Sequence, residues 1–373
     1  MKAKDHSPKL DRQLGLFDSS MMVIGIVIGS GIFMTTGLMA YALPSASLIL
    51  IAWVLGGLQM LAGALTYAEL GAAMPKAGGQ YVYLREAYGS LPAFLFGWVA
   101  FIAYLSGTNA AIAVAVSEHL GSFYPLVSTQ TSLLSVGIFS ISGGQVFALF
   151  LIMGLSLINY CGVVFGKWIQ NIFTVLKIGT ILLFAIAGLF ISSGHHLDLS
   201  LNPTQMSFGS ILTGMGIALV AVNWTVGGWD YVTLAAGEIK NPKRNIPLAL
   251  LFGTLVILVL YFLINIAYLK AQPIAALAGE VKVGETTARI LYGQGIAGLF
   301  TGVIIISMFG SLNGNILVGP RVTYAMAKDN LFFSSAADVH PRFHTPGNAI
   351  IIQGIWACIL TLSGTFEELI TLV

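Results

Sequence analysis

Charged residues are scarce in this 373-residue sequence. Asp, Glu, Lys and Arg make up 9% of it and hydrophobic residues 57%, with a mean hydropathy of +0.88. A soluble domain is about one quarter charged, and here the apolar residues come in long blocks rather than amphipathic stripes, so a pair of soluble domains is excluded. Net charge is +2 and no Lys/Arg run occurs, which leaves no phosphate-binding stripe and no nucleic-acid partner. There are two cysteines, Cys161 and Cys358, both in apolar blocks; they imply neither a disulfide framework nor a metal site. None of the six histidines has metal-ligand spacing, and His195-His196 falls in a loop between apolar blocks. HExxH, GxSxG and Walker patterns are missing at usable positions, so an intramembrane enzyme is not expected, and no metal or cofactor is implied. The start, MKAKDHSPKLDRQLG, is polar and lacks a small-residue cleavage site; residues 1–16 read as a cytosolic tail rather than a signal peptide.

What the sequence has instead is membrane spans. A spanning helix needs about 20 mostly apolar residues, and candidates run over 17–41, 45–72, 93–117, 145–165, 168–192, 209–235, 247–269, 295–324 and 347–364. Pro75, Pro92, Gly143-Gly144, Pro203, Pro242, Pro247 and Pro346 punctuate the breaks. A tenth apolar run starts near Glu368 and is cut at Val373, so the sequence given is expected to be a piece of a longer protein. With the N-terminus inside, 13 Lys and Arg fall on inner segments, from Lys2 to Arg342, and only Lys270, Lys282 and Arg289 fall outside. That asymmetry is the positive-inside rule; it predicts a multi-pass protein with a cytoplasmic N-terminus.

Two spans are broken near their middles by glycine. In MMVIGIVIGSGIFM (Met21–Met34) the break is Gly29-Ser30-Gly31; in IALVAVNWTVGGWDYV (Ile217–Val232) it is Asn223-Trp224-Thr225-Val226-Gly227-Gly228. These are spans 1 and 6, matching positions of two five-span halves at 17–192 and 209–373. Paired interruptions of this kind point to the substrate site of an inverted-repeat transporter. A half-helix starting near Ile32 would aim its free amides at the midplane, where they suit a carboxylate. Carbonyls released in span 6 would suit an ammonium group. Together they form a receptor for the constant part of an α-amino acid. The competing reading is that the glycines only permit close helix packing, and Gly25-xxx-Gly29 fits that motif. Trp224, three residues before Gly227, is expected to act as an aromatic gate. Lys177 is the one basic residue well inside a span and must face protein or water. It is expected either to be a structural cation donating to carbonyls near the span 1 break or to carry a coupling proton. Glu69, Glu118, Asp230 and Glu238 lie toward span ends, where pairing or solvent accounts for them; Asp230 is expected to brace the second half of span 6.

VIGIVIGSGIF, PKAGGQYVYLREAYG (Pro75–Gly89), IQNIFTVLK (Ile169–Lys177), GGWD with GEIKNPKRNIP (Gly227–Pro247) and SLNGNILVGPRVTYAMAKDN (Ser311–Asn330) occur in this order. They resemble the amino acid–polyamine–organocation superfamily, and within it the bacterial members of the L-type amino-acid transporter family. The resemblance covers nearly the whole sequence. It implies an all-α polytopic fold with a five-plus-five inverted repeat and discontinuous spans 1 and 6, in a twelve-span protein. It also implies that Val27, Ser30 and Gly31 hold the substrate backbone, with Gly29 completing the turn. Trp224, Thr225 and Gly227 would take the amino group and gate the site, and Lys177 would replace a sodium ion. The family gate is usually phenylalanine, so Trp224 implies a tighter side-chain pocket. Where members often carry an aromatic before the Gly-Gly pair, this sequence has Val226. Animal members bind a glycoprotein subunit through a cysteine after span 3; residues 118–144 contain none, so no disulfide-linked heavy subunit is expected. The function expected is sodium-independent amino-acid exchange by alternating access at the plasma (inner) membrane, with a small neutral L-amino acid as substrate. The alternatives are proton-coupled symport and, more remotely, an amino-acid sensor.

Overall fold

A computed structural model describes residues 10–136, 139–191, 194–200 and 207–363. The tenth apolar run therefore lies outside the described residues, as does most of the polar tail. The fold is all-α. Its helices are α1 (Leu16–Val27), α2 (Thr35–Ala42), α3 (Ala46–Ala73), α4 (Gln80–Tyr88), α5 (Ser90–Val99), α6 (Leu105–Gly121), α7 (Gly143–Tyr160), α8 (Val163–Phe190), α9 (Phe208–Thr225), α10 (Pro242–Ala271), α11 (Ile274–Leu277), α12 (Val283–Tyr292), α13 (Gln294–Val318), α14 (Pro320–Lys328) and α15 (Gly347–Ser363). A hairpin, β1 (Ser132–Val136) with β2 (Phe139–Ser142), joins α6 to α7.

Among the described residues, seven helical stretches are long and apolar enough to cross a membrane. They are α3, α5–α6, α7, α8, α9 with the 3₁₀ stretch after it, α10, and α13–α14. Span 1 is not one continuous helix: it is split into α1 and α2, joined by a 3₁₀ turn at Gly31–Phe33. Span 9 is α15. Many large apolar side chains point outward from the spans, among them Phe150, Leu183, Phe190 and Val220, as lipid-facing surface requires. The packed interior holds α1, which α10, α8, α13 and the 3₁₀ stretch Trp229–Glu238 surround. Gly253 lets α10 close onto α1, since a Cβ there would sit 2.5 Å from Val23 Cγ1.

The connections sort onto two faces. Leu14 pairs with Ile239 in a parallel bridge: Leu14 N–H donates to Glu238 O at 2.9 Å and Lys240 N–H to Leu14 O at 2.8 Å. Lys167 Nζ donates to Gln13 O and to Asp18 Oδ2, Gly78 N–H to Leu234 O, and Arg85 to Asp329. One face therefore carries the N-terminal segment with the connections after spans 2, 4, 6 and 8, the alternation that the basic residues predicted. On the other face Gly279 N–H meets Gly37 O, and Ser47 Oγ meets Leu199 O.

Two boundaries differ from the sequence expectation. The turn between spans 4 and 5 is at Cys161-Gly162, not after residue 165, because Gly162 adopts φ +136°. Val163, Val164 and Phe165 merely continue the hydropathy across it. Span 8 breaks at Gly319, where Pro320 starts α14. Proline has no N–H to give the Ile316 carbonyl, so the helix must re-form. Arg321, expected on an inner connection, is thereby carried into the packed core at 1% exposure.

Candidate functional site

Both glycine-broken spans are broken in space. The last four carbonyls of a helix lack intrahelical partners and must be satisfied from elsewhere. At the end of α1 they are all met from other spans. Lys177 Nζ donates to Gly25 O and Ile28 O, at 2.7 Å each. Ser311 Oγ donates to Ile26 O at 2.6 Å, Tyr261 OH to Val27 O at 3.2 Å, and Ser307 Oγ to Ile28 O at 2.9 Å. Spans 5, 7 and 8 thus grip the unwound end of α1. Beyond it, Gly29 N–H turns back to Val27 O at 2.8 Å. The amides of Ser30, Gly31 and Ile32 have no backbone acceptor among the described residues.

Two of the glycines divide the earlier competing readings between them. A Cβ at Gly25 would lie 2.1 Å from Thr174 Oγ1, so Gly25 serves close packing against α8. At Gly29 it would lie 3.7 Å from Ser311 Oγ, an ordinary contact; Gly29 belongs to the break.

In span 6, α9 stops at Thr225. Gly228, in the left-handed region at φ +93°, redirects the chain into the 3₁₀ stretch Trp229–Glu238. The carbonyls of Asn223, Thr225 and Val226 accept no bond among the described residues. Thr225 Oγ1 lies 2.5 Å from Thr35 Oγ1 and also donates to Ala221 O, tying α9 to α2. The breaks touch: a Cβ on Gly31 would meet Thr225 Cγ2 at 3.1 Å and the Trp224 ring at 3.2 Å.

Between them is a cavity of about 270 Å³. Val27, Gly29, Ser30, Gly31, Trp224, Thr225 and Gly227 all line it; Lys177 does not, standing one layer behind at the α1 carbonyls. The sequence reading missed the other walls: Tyr104, Thr108, Ala111, Ile112 and Ala115 on span 3, Tyr231 after the span 6 break, and Ser311 and Asn315 on α13. The span 3 set follows helical spacing along one face, a signal that sequence carries but that any buried helix also carries. Among the described residues, no Asp, Glu, Lys, Arg or His lines this cavity. A second, larger cavity of about 540 Å³ adjoins it at Ser30 and Ala115 and reaches the face away from the N-terminus, past Phe33, Met34, Glu118, His119, Lys282 and Glu285.

Ion pairs and hydrogen bonds tie the N-terminal face together. Arg321 donates to Glu238 through Nε (2.7 Å) and Nη2 (2.8 Å), with both side chains 1% exposed. Arg85 and Tyr81 both reach Asp329. Asp230 accepts from Gln80 Nε2, bracing the inner half of span 6 against α4. Outside the membrane-spanning segments, the exposed Glu86 carboxyl is held below its usual value by its hydrogen bond from Arg85, with Lys76 adding to the effect.

Comparison with known proteins fits this geometry. The amino acid permease family matches residues 14–372. The chain is similar to the serine/threonine exchanger SteT of Bacillus subtilis, at 35% identity over 367 residues, covering 96% of this chain and 78% of that protein. It is similar to the b(0,+)-type amino acid transporter 1 of Homo sapiens, at 30% identity, covering 97% and 72%. With the human large neutral amino acids transporter small subunit 2 the identity is 26%, covering 98% and 66%. Among solved structures, a Na⁺-coupled sialic acid symporter in a substrate-bound outward-open state aligns with a TM-score of 0.62 at 16% identity, over 94% of this chain and 75% of that one; at that identity the likeness speaks to fold alone. Two helix breaks meeting at an uncharged cavity, within a match that runs nearly end to end, make this chain a multi-pass membrane transport protein and a member of the amino acid permease family.

Proposed function

We propose that this permease exchanges small neutral L-amino acids across the cell membrane, without sodium, by alternating access. The reading rests on one juxtaposition: the unbonded amides at Ser30 and Gly31 face the unbonded carbonyls at the end of α9 across a single cavity. The amides, at a helix N-terminus, take the substrate carboxylate. The carbonyls near Thr225 and Gly227 take its ammonium. Val27 and Gly29 shape the backbone subsite, and Trp224 gates it. A cavity of about 270 Å³, just below the ~300–1,000 Å³ of typical ligand pockets, suits one small amino acid. With no charged side chain on its wall, a charged substrate side chain would go unpaired at high cost. Lys177 supplies from within the chain the positive charge that a bound sodium ion would otherwise bring to the α1 carbonyls.

The tied N-terminal face and the larger opposite cavity correspond to an arrangement closed toward the cytoplasm, with the N-terminus inside. The halves 17–192 and 209–373 form the two repeats. Spans 1, 2, 6 and 7 rock against spans 3–5 and 8–10, and the carrier works without a disulfide-linked subunit.

The test is uptake of labelled alanine and serine into proteoliposomes, with and without internal amino acid, at several external pH values. Dependence on internal substrate and indifference to pH and sodium support exchange; acceleration by external acid without internal substrate replaces it with proton-coupled symport. In parallel, an amino acid that stabilises the purified protein against heat must lose that effect in Gly31→Val, whose Cβ alone would lie 3.1–3.3 Å from Thr225 and Trp224.

A further inference from the structure

We infer that Asn315 selects the substrate side chain: its carboxamide is the hydrogen-bond partner for a hydroxyl or amide on the transported amino acid, which makes polar neutral amino acids preferred over apolar isosteres. The inference rests on the exchange reading above and adds to it a residue and a substrate class.

Ser307, Ser311 and Asn315 form a stripe along α13, one residue per helical turn. The first two hydroxyls are committed to the α1 carbonyls, Ser307 to Ile28 O and Ser311 to Ile26 O. Asn313, on the neighbouring face, donates to Gly166 O and Gln170 Oε1. Asn315 is different. It lines the cavity, is 3% exposed, and has a buried Oδ1 without a partner. Neither end of its amide is hydrogen-bonded to any described residue.

The other amide and threonine donors of the wall are committed. Thr108 Oγ1 donates to Tyr104 O, Thr225 Oγ1 to Ala221 O, and Asn223 Nδ2 to Gln59 and Leu219. Ser30 is at the span 1 break, where the substrate backbone binds. Tyr104 and Tyr231 bring rings whose hydroxyls face each other, and the remaining side-chain wall is apolar: Ala111, Ile112 and Ala115 on span 3. A single uncommitted carboxamide in such surroundings is a specificity device. It offers one donor end and one acceptor end, and rotation about χ2 exchanges them, so a substrate hydroxyl can be met from either side. An apolar side chain of the same shape would strand the amide in a dry site, and a site built to bond a polar group rejects the analogue lacking it.

The experiment compares threonine with valine, which have nearly the same shape. Exchange of each, and of alanine, is measured in proteoliposomes for the wild type and for Asn315→Leu, and expressed as the ratio of kcat/KM for threonine to that for valine. This ratio cancels losses of folding or reconstitution. In the wild type it should be on the order of tenfold or more; in Asn315→Leu it should fall to about one, while Asn315→Gln, keeping the amide, should restore part of it. An unchanged ratio in Asn315→Leu, or a wild type that does not distinguish threonine from valine, overturns the inference while alanine exchange leaves the exchange reading intact. No exchange of any neutral amino acid by the wild type overturns both. If Asn315→Leu does not reach the membrane, heat-stabilisation of the wild type by the two ligands decides: threonine must protect it at concentrations at which valine does not.

Discussion

Replacing Lys177 with methionine removes the ammonium and keeps much of the side-chain volume. The cost can be worked from the bonds it makes. Gly25 O accepts from Lys177 alone, so it becomes an orphaned buried carbonyl, at about 1–3 kcal/mol. Ile28 O keeps Ser307 and loses only its charged donor, about 1.5–3 kcal/mol. Against this stands the relief of no longer burying a cation, which offsets part of both. A net loss of roughly 2 kcal/mol is expected, equivalent to about a 30-fold shift in any equilibrium that needs the gripped geometry of α1. The assays are heat unfolding in detergent and amino-acid exchange in liposomes. Lys177→Met should lower the melting temperature and reduce exchange by tenfold or more. Gly310→Ala should do the same by another route, because a Cβ there would lie 3.0 Å from Lys177 Cε and 3.1 Å from Nζ. If Lys177→Met matches the wild type in both assays, the carbonyl grip is not what holds the span 1 break open.

Three further outcomes are expected. Glu238→Ala or Arg321→Ala should each destabilise the protein by about 3–5 kcal/mol by leaving one buried charge unpaired, while Glu238→Met with Arg321→Met together should recover most of that loss; a double variant as unstable as the singles refutes it, by thermal unfolding. Gly79→Val should impair closure of the N-terminal face, because Gly79 has φ +46° and a Cβ there would lie 2.7 Å from Thr233 Oγ1 and 2.9 Å from Leu234 Cδ2; the check is a transport rate slowed more than in Gly154→Val, where a Cβ meets nothing within 4 Å and the backbone is helical. In a background lacking Cys161 and Cys358, a cysteine at Lys282 should react with a membrane-impermeant maleimide on whole cells and one at Lys76 should not; the reverse pattern inverts the proposed orientation.

Class and family were legible in the residues themselves. Long apolar runs report burial in lipid whatever the tertiary arrangement, and a helix needs only its own sequence to satisfy its backbone there. The alternation of basic residues likewise foretold which connections share a face. The glycines of spans 1 and 6 marked where the helices break, since local backbone freedom is a local property. What those breaks face depended on the folded chain. Thr108 and Tyr104 carry no motif, Asn315 is one position inside a long one, and all three sit far from both breaks in sequence; they join the cavity wall because α13 packs on α1 and α6 packs on α13. Glu238 and Arg321 looked like ordinary span-end charges; α14 and the 3₁₀ end of span 6 bring them together, 83 residues apart in the chain, into a buried pair. Hydropathy and backbone preference are written residue by residue, whereas which polar groups find partners, and which one is left open to a substrate, is a property of helices packed against one another.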